Sequence, residues 1–376
     1  MSRRSGLGFS SRLHDERVAA TLGLGLGVTF GLCFVTGLIS HAIQHPPSWF
    51  TWPPRPVNLY RVTQGIHVLS GIASIPLLLA KLWVVYPKLW TWPPARDVAH
   101  AIERITLVPL IGGGLFLVFT GVINIQYWYS PMPFFFPPAH HWAAWITIGA
   151  LIVHVTAKGT ATRRLLLSPA PVESAAPEGL SRRGFLGAVF AGSGALVLAV
   201  AGDTVAPLHR LAVLAPRSLE KGTQGLPVNR SAAQARVAPR ALDPDYRLVV
   251  EGRVPSPLQL SLADLRAMPQ HEAGLPISCV EGWSAAAHWR GVPVRDLLGR
   301  AGVTGRPQLR VVSLETDNLY AVSEVNSEQV GDRDLLLALE LNGEPLHLDH
   351  GFPVRLIGPA RPGVAQTKWV GKVIVL

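Results

Sequence analysis

Only two cysteines occur in the 376 residues, Cys33 and Cys279. That excludes a disulfide-stapled scaffold and any site built from several cysteine thiolates. Charge is scarce as well: 15% of the residues are charged and 48% are hydrophobic, which is too apolar for an ordinary soluble protein and points to several membrane spans. Basic runs interleaved with aromatics are missing, so the net charge of +10 is read as membrane topology and no nucleic-acid partner is expected. The length leaves room for a helical membrane unit and one soluble domain.

Five apolar stretches are long enough, or nearly so, to cross a bilayer as helices: Val18–Ser40, Ile66–Tyr86, Ile105–Ile125, Trp142–Ala157 and Phe185–Ala201. The fourth and fifth are short. Linkers such as HPPSWFTWPPRP and YSPMPFFFPP carry the aromatics expected at a membrane interface. Gly23, Gly27 and Gly31 recur every four residues and predict a ridge for close helix packing. The GLGLG run lacks the spacing and the preceding strand of a dinucleotide fingerprint.

Lys and Arg orient the spans. They gather before the first span (Arg3, Arg4, Arg12, Arg17), between the second and third (Lys88, Arg96, Arg104), and after the fourth (Lys158, Arg163, Arg164, Arg182, Arg183). The loop 126–141 has none, and the first-to-second loop has only Arg55 and Arg61. The N-terminus is therefore expected in the cytoplasm of a multi-pass cell-membrane protein, with everything after about residue 202 extracytoplasmic. The entrance to the fifth span, Ser181-Arg182-Arg183-Gly184-Phe185-Leu186, resembles a twin-arginine export signal. Gly187 stands where such signals usually have Lys. No convincing cleavage site follows, so the span is expected to remain as an anchor.

Polar side chains are costly in membrane helices and are usually functional there. His140 and His154 are fourteen residues apart on the fourth span, a spacing that returns to within about 40° of the same face and separates them by roughly 21 Å along the axis. His67 is level with His140 and His14 with His154. Two such imidazole pairs could each hold a haem iron. His41 is the main rival ligand; for His41, His45, His100 and His141, interfacial hydrogen bonding is the plainer reading. The arrangement resembles the four-helix cytochrome b subunits of formate dehydrogenase and hydrogenase. That resemblance implies two b haems, with His67 and His140 on the outer iron and His14 and His154 on the inner one.

From Tyr246 the pattern changes. RLVVEG, LRVVSL, PVRLIG and WVGKVIVL read as short strands, while LSLADLRAM and VPVRDLLGRAG read as short helices, giving a mixed and mainly antiparallel domain. Cys279 sits among Glu281, Gly282 and Ser284, which suits a turn. An unprotected thiol in an oxidising compartment would oxidise, so burial or a soft metal must shield it. With no Cys or His neighbour, such a metal must bring its other ligands with it.

PISCVEGWSAAAHWRGVPVRDLL and NGEPLHLDHGFPVRLIGPARPGVAQTKWVGKV resemble the two signatures of the sulfite oxidase family, especially its bacterial branch with the periplasmic methionine sulfoxide reductase. The resemblance implies a molybdopterin cofactor whose molybdenum is bound by Cys279. It also implies that His350, Arg355 and Lys368 contact the pterin and its phosphate, and that Asn229 and Arg230 belong to an upstream contact segment. Charge logic agrees, since Arg and Lys suit a phosphate. Asp317, Tyr320 and His288 are candidates for the mouth of the site, although loop exposure explains them equally. The chain ends soon after TKW, without the immunoglobulin-like domain of sulfite oxidases, and their sulfite-binding arginine cluster is not evident. The substrate is therefore open between a small oxyanion and a sulfoxide.

The expected architecture is a membrane α-helical bundle, four helices plus a fifth anchor helix, followed by an extracytoplasmic α+β molybdopterin-binding domain. The expected divisions are a di-haem cytochrome b-like domain over 1–162, a cytoplasmic linker with the twin-arginine-like motif over 163–184, the fifth span over 185–201, a linker over 202–240 and the oxidoreductase domain over 241–376. The function that follows is oxygen-atom transfer at molybdenum, with two b haems exchanging electrons with quinone, quinol or another membrane partner after export by the twin-arginine machinery. The alternative is a transmembrane haem electron carrier whose outer domain is a non-catalytic docking module.

Overall fold

The computed structural model describes residues 11–90, 93, 95–169, 180–215, 217, 219, 221–316 and 318–376. Arg3, Arg4 and Asp317 lie outside them. The described chain divides into two units. The first comprises residues up to Leu38, Ile66–Gly202 and Arg210–Pro216; the second comprises Ile39–Gly65, Asp203–His209 and Arg217–Leu376.

Five long helices dominate the N-terminal half: α1 Glu16–Gln44, α2 Leu59–Leu89, α3 Val98–Ile125, α4 Phe136–Leu167 and α5 Arg182–Ala201. All five are long and apolar enough to cross a membrane. Three starts have a capping side chain. Asp15 accepts the backbone N–H of Arg17 at 2.8 Å, Asp97 that of His100 at 2.8 Å, and Ser181 that of Gly184 at 3.0 Å. The fourth span is the main departure from expectation, since it runs to 32 residues. Pro137 and Pro138 sit in its first turn, where a missing N–H costs nothing, and it continues well past Lys158. Leu24, Val28, Ile105, Val108 and Ile146 are exposed, the apolar surface that a bilayer would cover.

The expected glycine ridge is not a packing ridge. An added Cβ would meet the Lys81 Nζ at Gly23 but nothing within 4 Å at Gly27 or Gly31. Among the described residues, only the Gly23 end of the stripe meets a neighbouring helix. The close approach is at Gly113 in α3, where a Cβ would lie 2.1 Å from the Thr147 hydroxyl of α4.

The second unit contains short helices α6 (Ala232–Ala235) and α7 (Ala238–Ala241), inside the stretch read as linker. Ala232, Val237 and Ala241 pack with Trp369. Next come β1 Leu248–Gly252, β2 Leu258–Leu260, α8 Leu262–Ala267, β3 His271–Ser278, β4 Ser284–Pro293, α9 Val294–Arg300, β5 Leu309–Ser313, β6 Val322–Val325, α10 Ser327–Val330, β7 Leu336–Leu341, β8 Glu344–Pro345, β9 Arg355–Ile357 and β10 Val370–Val375. One sheet has the order β2-β1-β10-β5-β6, with β1 and β10 parallel and its other pairs antiparallel. The other runs β3-β4-β7-β8, with β9 also on β7, and is antiparallel throughout.

Alternation along β7 serves two cores. Leu337 and Leu339 join Leu248, Val250, Leu297, Leu309, Val311 and Val373. Leu336, Ala338 and Leu341 join Leu275, Ile277, Cys279, Trp283 and Trp289.

Replacing Gly113 by Ala should destabilise the α3–α4 pair by roughly 1–3 kcal/mol, because overpacking outweighs the better helix propensity. Thermal melting of the detergent-purified protein measures this, and adding Thr147→Ala should restore most of the loss.

Candidate active site

Cys279 directly follows β3, and the segment Cys279–Trp283 turns the chain into β4. Ser278 and Ser284 pair across the base of the hairpin, their hydroxyls 2.8 Å apart. Within the turn, the Cys279 N–H donates to the Trp283 carbonyl at 2.9 Å and the Gly282 N–H to the Cys279 carbonyl at 3.1 Å. Gly282 has φ +104°, a conformation that L side chains rarely adopt. The thiol is buried within the turn. Burial, reinforced by Glu281, pushes the thiol's pKa up. Asn229 donates its amide to the Cys279 sulfur at 3.1 Å. Both cysteines are free.

The second motif meets the first. Ser278 forms a parallel bridge with Pro362, and a Cβ on Gly363 would lie 3.3 Å from the Ser278 carbonyl. Three cationic or protonatable side chains of this motif gather nearby in sequence and space. His350 is buried and donates Nε2–H to the Thr223 carbonyl at 2.6 Å. Arg355 is buried, donates Nη1–H to the His350 carbonyl at 3.1 Å, and stacks 5.3 Å from the Trp289 ring centre. Lys368 is partly buried and donates Nζ–H to the carbonyls of Asp349 and Arg230, at 2.6 and 2.9 Å. Arg230 itself donates to Glu315 at 2.5 Å.

Burial and then the Arg355 charge lower His350 to about 4 and Lys368 to about 7, and burial lowers Arg355 to about 10. The buried Arg355 Nε has no hydrogen-bond partner among the described residues. Among the described residues Arg355 forms no ion pair. The cluster is electrostatically incomplete, and a phosphate-bearing anion is the ligand chemistry that completes it. One buried thiol beside an anion-seeking cluster fits a metal whose remaining ligands arrive with an anionic cofactor. Among the described residues no group of three His, Cys, Asp or Glu could hold a metal by itself.

Burial and next the charge of Cys279 raise the pKa of Tyr320. His288 projects from the exposed face of β4, with its backbone N–H on Asn342.

Of the membrane histidines, the structure brings His67 and His140 together, their ring centres 6.4 Å apart. Two imidazoles on one iron at about 2 Å each would stand about 6 Å apart between centres, so the spacing suits a shared metal. Each ring is fixed through Nδ1: His67 on the Cys33 carbonyl at 2.9 Å, His140 on the Thr120 hydroxyl at 3.0 Å. That leaves Nε2 of both without a hydrogen bond among the described residues, the arrangement an imidazole ligand needs. Gly37 makes room for the His67 ring, since a Cβ there would lie 3.1 Å from its Cε1. His14 donates Nδ1–H to the Val84 carbonyl at 3.0 Å and stacks 4.6 Å from Trp83. The His154 Nδ1 is buried without a hydrogen bond, and no ring contact joins His154 to another histidine among the described residues. His41 lies 4.9 Å from His45 between ring centres.

Residues 235–376 match the oxidoreductase molybdopterin binding domain family. The chain is 34% identical to the mitochondrial sulfite oxidase of Rattus norvegicus, over 36% of this chain and 30% of that protein. It is 32% identical to nitrate reductase [NADH] 2 of Phaseolus vulgaris, over 36% of this chain and 19% of that protein. It is 33% identical to the uncharacterized oxidoreductase YuiH of Bacillus subtilis, over 33% of this chain and 62% of that protein. The chain thus spans less than a third of the sulfite oxidase and about three fifths of YuiH. The C-terminal region is a molybdopterin-binding oxidoreductase domain of the sulfite oxidase type.

The lowered Lys368 sets a pH window. Unfolded, its pKa is about 10.4, so between about pH 7 and 10 the unfolded chain binds more protons and stability rises with pH. Cofactor-free protein should therefore melt higher at pH 9 than at pH 7, and Lys368→Met should flatten that slope. Added pyrophosphate should stabilise most at the acid end, where Lys368 is charged.

Proposed function

We propose that this chain is a membrane-anchored molybdenum-cofactor oxidoreductase that transfers an oxygen atom to or from a small oxyanion or sulfoxide at an extracytoplasmic site. The observation that carries the reading is that Asn229 donates to the Cys279 sulfur while the next residue, Arg230, accepts at its carbonyl from Lys368 of the charge-incomplete set His350, Arg355 and Lys368. When bound, the molybdenum cofactor supplies two-electron oxygen-atom transfer chemistry. Cys279 is the protein's metal ligand, and its amide partner Asn229 steadies the sulfur. Arg355 and Lys368 neutralise the cofactor phosphate, and His350, neutral at physiological pH, offers shape and a fixed donor. The buried walls around Trp283 and Trp289 keep bulk water from the sulfur.

Two b haems connect this chemistry to quinone or quinol, which matches a two-electron site to carriers that move electrons singly. His67 and His140 hold the outer haem, and His14 and His154 the inner one. The carrying observation for the first pair is its 6.4 Å ring separation with both Nδ1 atoms anchored. The N-terminus is cytoplasmic, five spans lead to the outer domain, and the Ser181–Leu186 entrance directs export of that domain, already folded with its cofactor, through the twin-arginine machinery.

Metal and haem content of detergent-purified protein test this. About one molybdenum and two haems per chain are expected, with His67→Ala or His140→Ala losing one haem. Cys279→Ala should abolish turnover and the spectroscopic signature of thiolate-bound molybdenum, even where the cofactor stays bound. Haem without molybdenum in the wild type would overturn the enzyme reading and leave an electron carrier with a docking domain.

A further inference from the structure

The turn that carries Cys279 is held by residues outside the region matched to the molybdopterin-binding family. Gln64 donates its side-chain amide to the Val280 carbonyl at 2.7 Å. The Thr204 hydroxyl donates to the Gly282 carbonyl at 2.5 Å, and the Ser284 N–H donates to the Asp203 carbonyl at 2.8 Å. Arg61 in turn donates Nε–H to the Thr204 carbonyl at 2.7 Å. Gln64 and Thr204 are both buried. All of these residues belong to the second unit.

The geometry is specific. The carbonyls of Val280 and Gly282 flank Glu281, so fixing both sets the two peptide planes in the middle of the turn. The Cys279 N–H and C=O are already committed inside the turn, to Trp283 and Gly282. With the inner planes fixed as well, the Cα–Cβ direction of Cys279 has little freedom left. A buried carbonyl that loses its donor is costly, so the turn would shift to find another. Gly65 shows how closely the holding segment approaches: a Cβ there would lie 2.6 Å from the Thr204 Cγ2.

We propose that Gln64 and Thr204 are positioning residues for Cys279, setting the direction and the accessibility of its sulfur from parts of the chain that precede the matched domain. This rests on the reading of Cys279 as the metal ligand, but its test has a metal-free arm. The probes are Gln64→Leu, Thr204→Val and Gly65→Ala in the full-length, detergent-purified protein. Thr204→Ser retains the hydroxyl. Arg55→Ala removes the ion pair with Asp332, 2.8 Å long, at the same loop but away from the turn.

In cofactor-free protein, iodoacetamide labelling of Cys279, resolved from Cys33 by peptide mapping, should accelerate several-fold in the three disruptive variants. It should stay at the wild-type rate in Thr204→Ser and Arg55→Ala. In loaded protein, the disruptive variants should shift the electron paramagnetic resonance signal of pentavalent molybdenum and lower kcat with KM little changed. Gly65→Ala keeps the helix, since Ala is the better helix former, and so separates a moved Thr204 from a general loss of folding. Unchanged labelling and an unchanged resonance in Gln64→Leu and Thr204→Val would overturn the proposal. Accelerated labelling in a protein that never binds molybdenum would support the positioning of the thiol and defeat the metal reading instead.

Discussion

A guanidinium enclosed by protein with no carboxylate against it is the constraint around which the second unit is arranged. Arg355 spends one donor on the His350 carbonyl and lays its plane near the Trp289 ring, yet its Nε is left without a partner. Arg361 shows what a merely structural buried arginine looks like here. Its donors are taken by Gln329, by the Glu324 carbonyl and by the Ala365 carbonyl, so every nitrogen of the group has a partner. The difference between these two arginines, a few residues apart, is the clearest physical sign that the first awaits an anion. Lys368 completes the contrast, because its amine is held by two carbonyls that cannot cancel its charge.

The membrane histidines follow a different logic, in which the decisive feature is what holds the back of each ring. His67 and His140 are both anchored through Nδ1 by neutral oxygen groups of neighbouring helices. A histidine serving only its own helix would have no reason to keep Nε2 clear. The glycine at position 37 adds to this, leaving space beside the ring where any larger residue would intrude.

What could be read from the sequence depended on how local the signal was. β1, β5, β9 and β10 were legible because each is a short β-branched run closed by Gly or Pro. α8 was legible through its Ser261 start and α9 through the proline before it, each with apolar spacing. β3 and β4 were not, since HEAGLPIS and SAAAHWRGVP are rich in small residues and Pro and show no clean alternation. α4 was shortened because His140, His141 and Lys158 look like ends, while the Pro pair that starts the helix looks like a break. Both histidine pairs were read from depth alone, and of the two the structure places only His67 and His140 in ring contact among the described residues. Cys279 and the cationic set stood out through their motifs. Gln64 and Thr204 did not, for their partners lie 216 and 78 residues along the chain and their own surroundings look like ordinary helix and loop.

β7 carries a further consequence. Its side chains line two separate hydrophobic cores, so the two cores share one strand. Neither can melt and leave its neighbour intact, because pulling out Leu337 also withdraws Leu336 and Ala338. The layer containing Cys279 thus inherits the rigidity of a larger body than its own contacts would supply. A lesion in the distant core, around Leu248 or Val373, would be felt at the sulfur as a change in the cost of opening the whole domain.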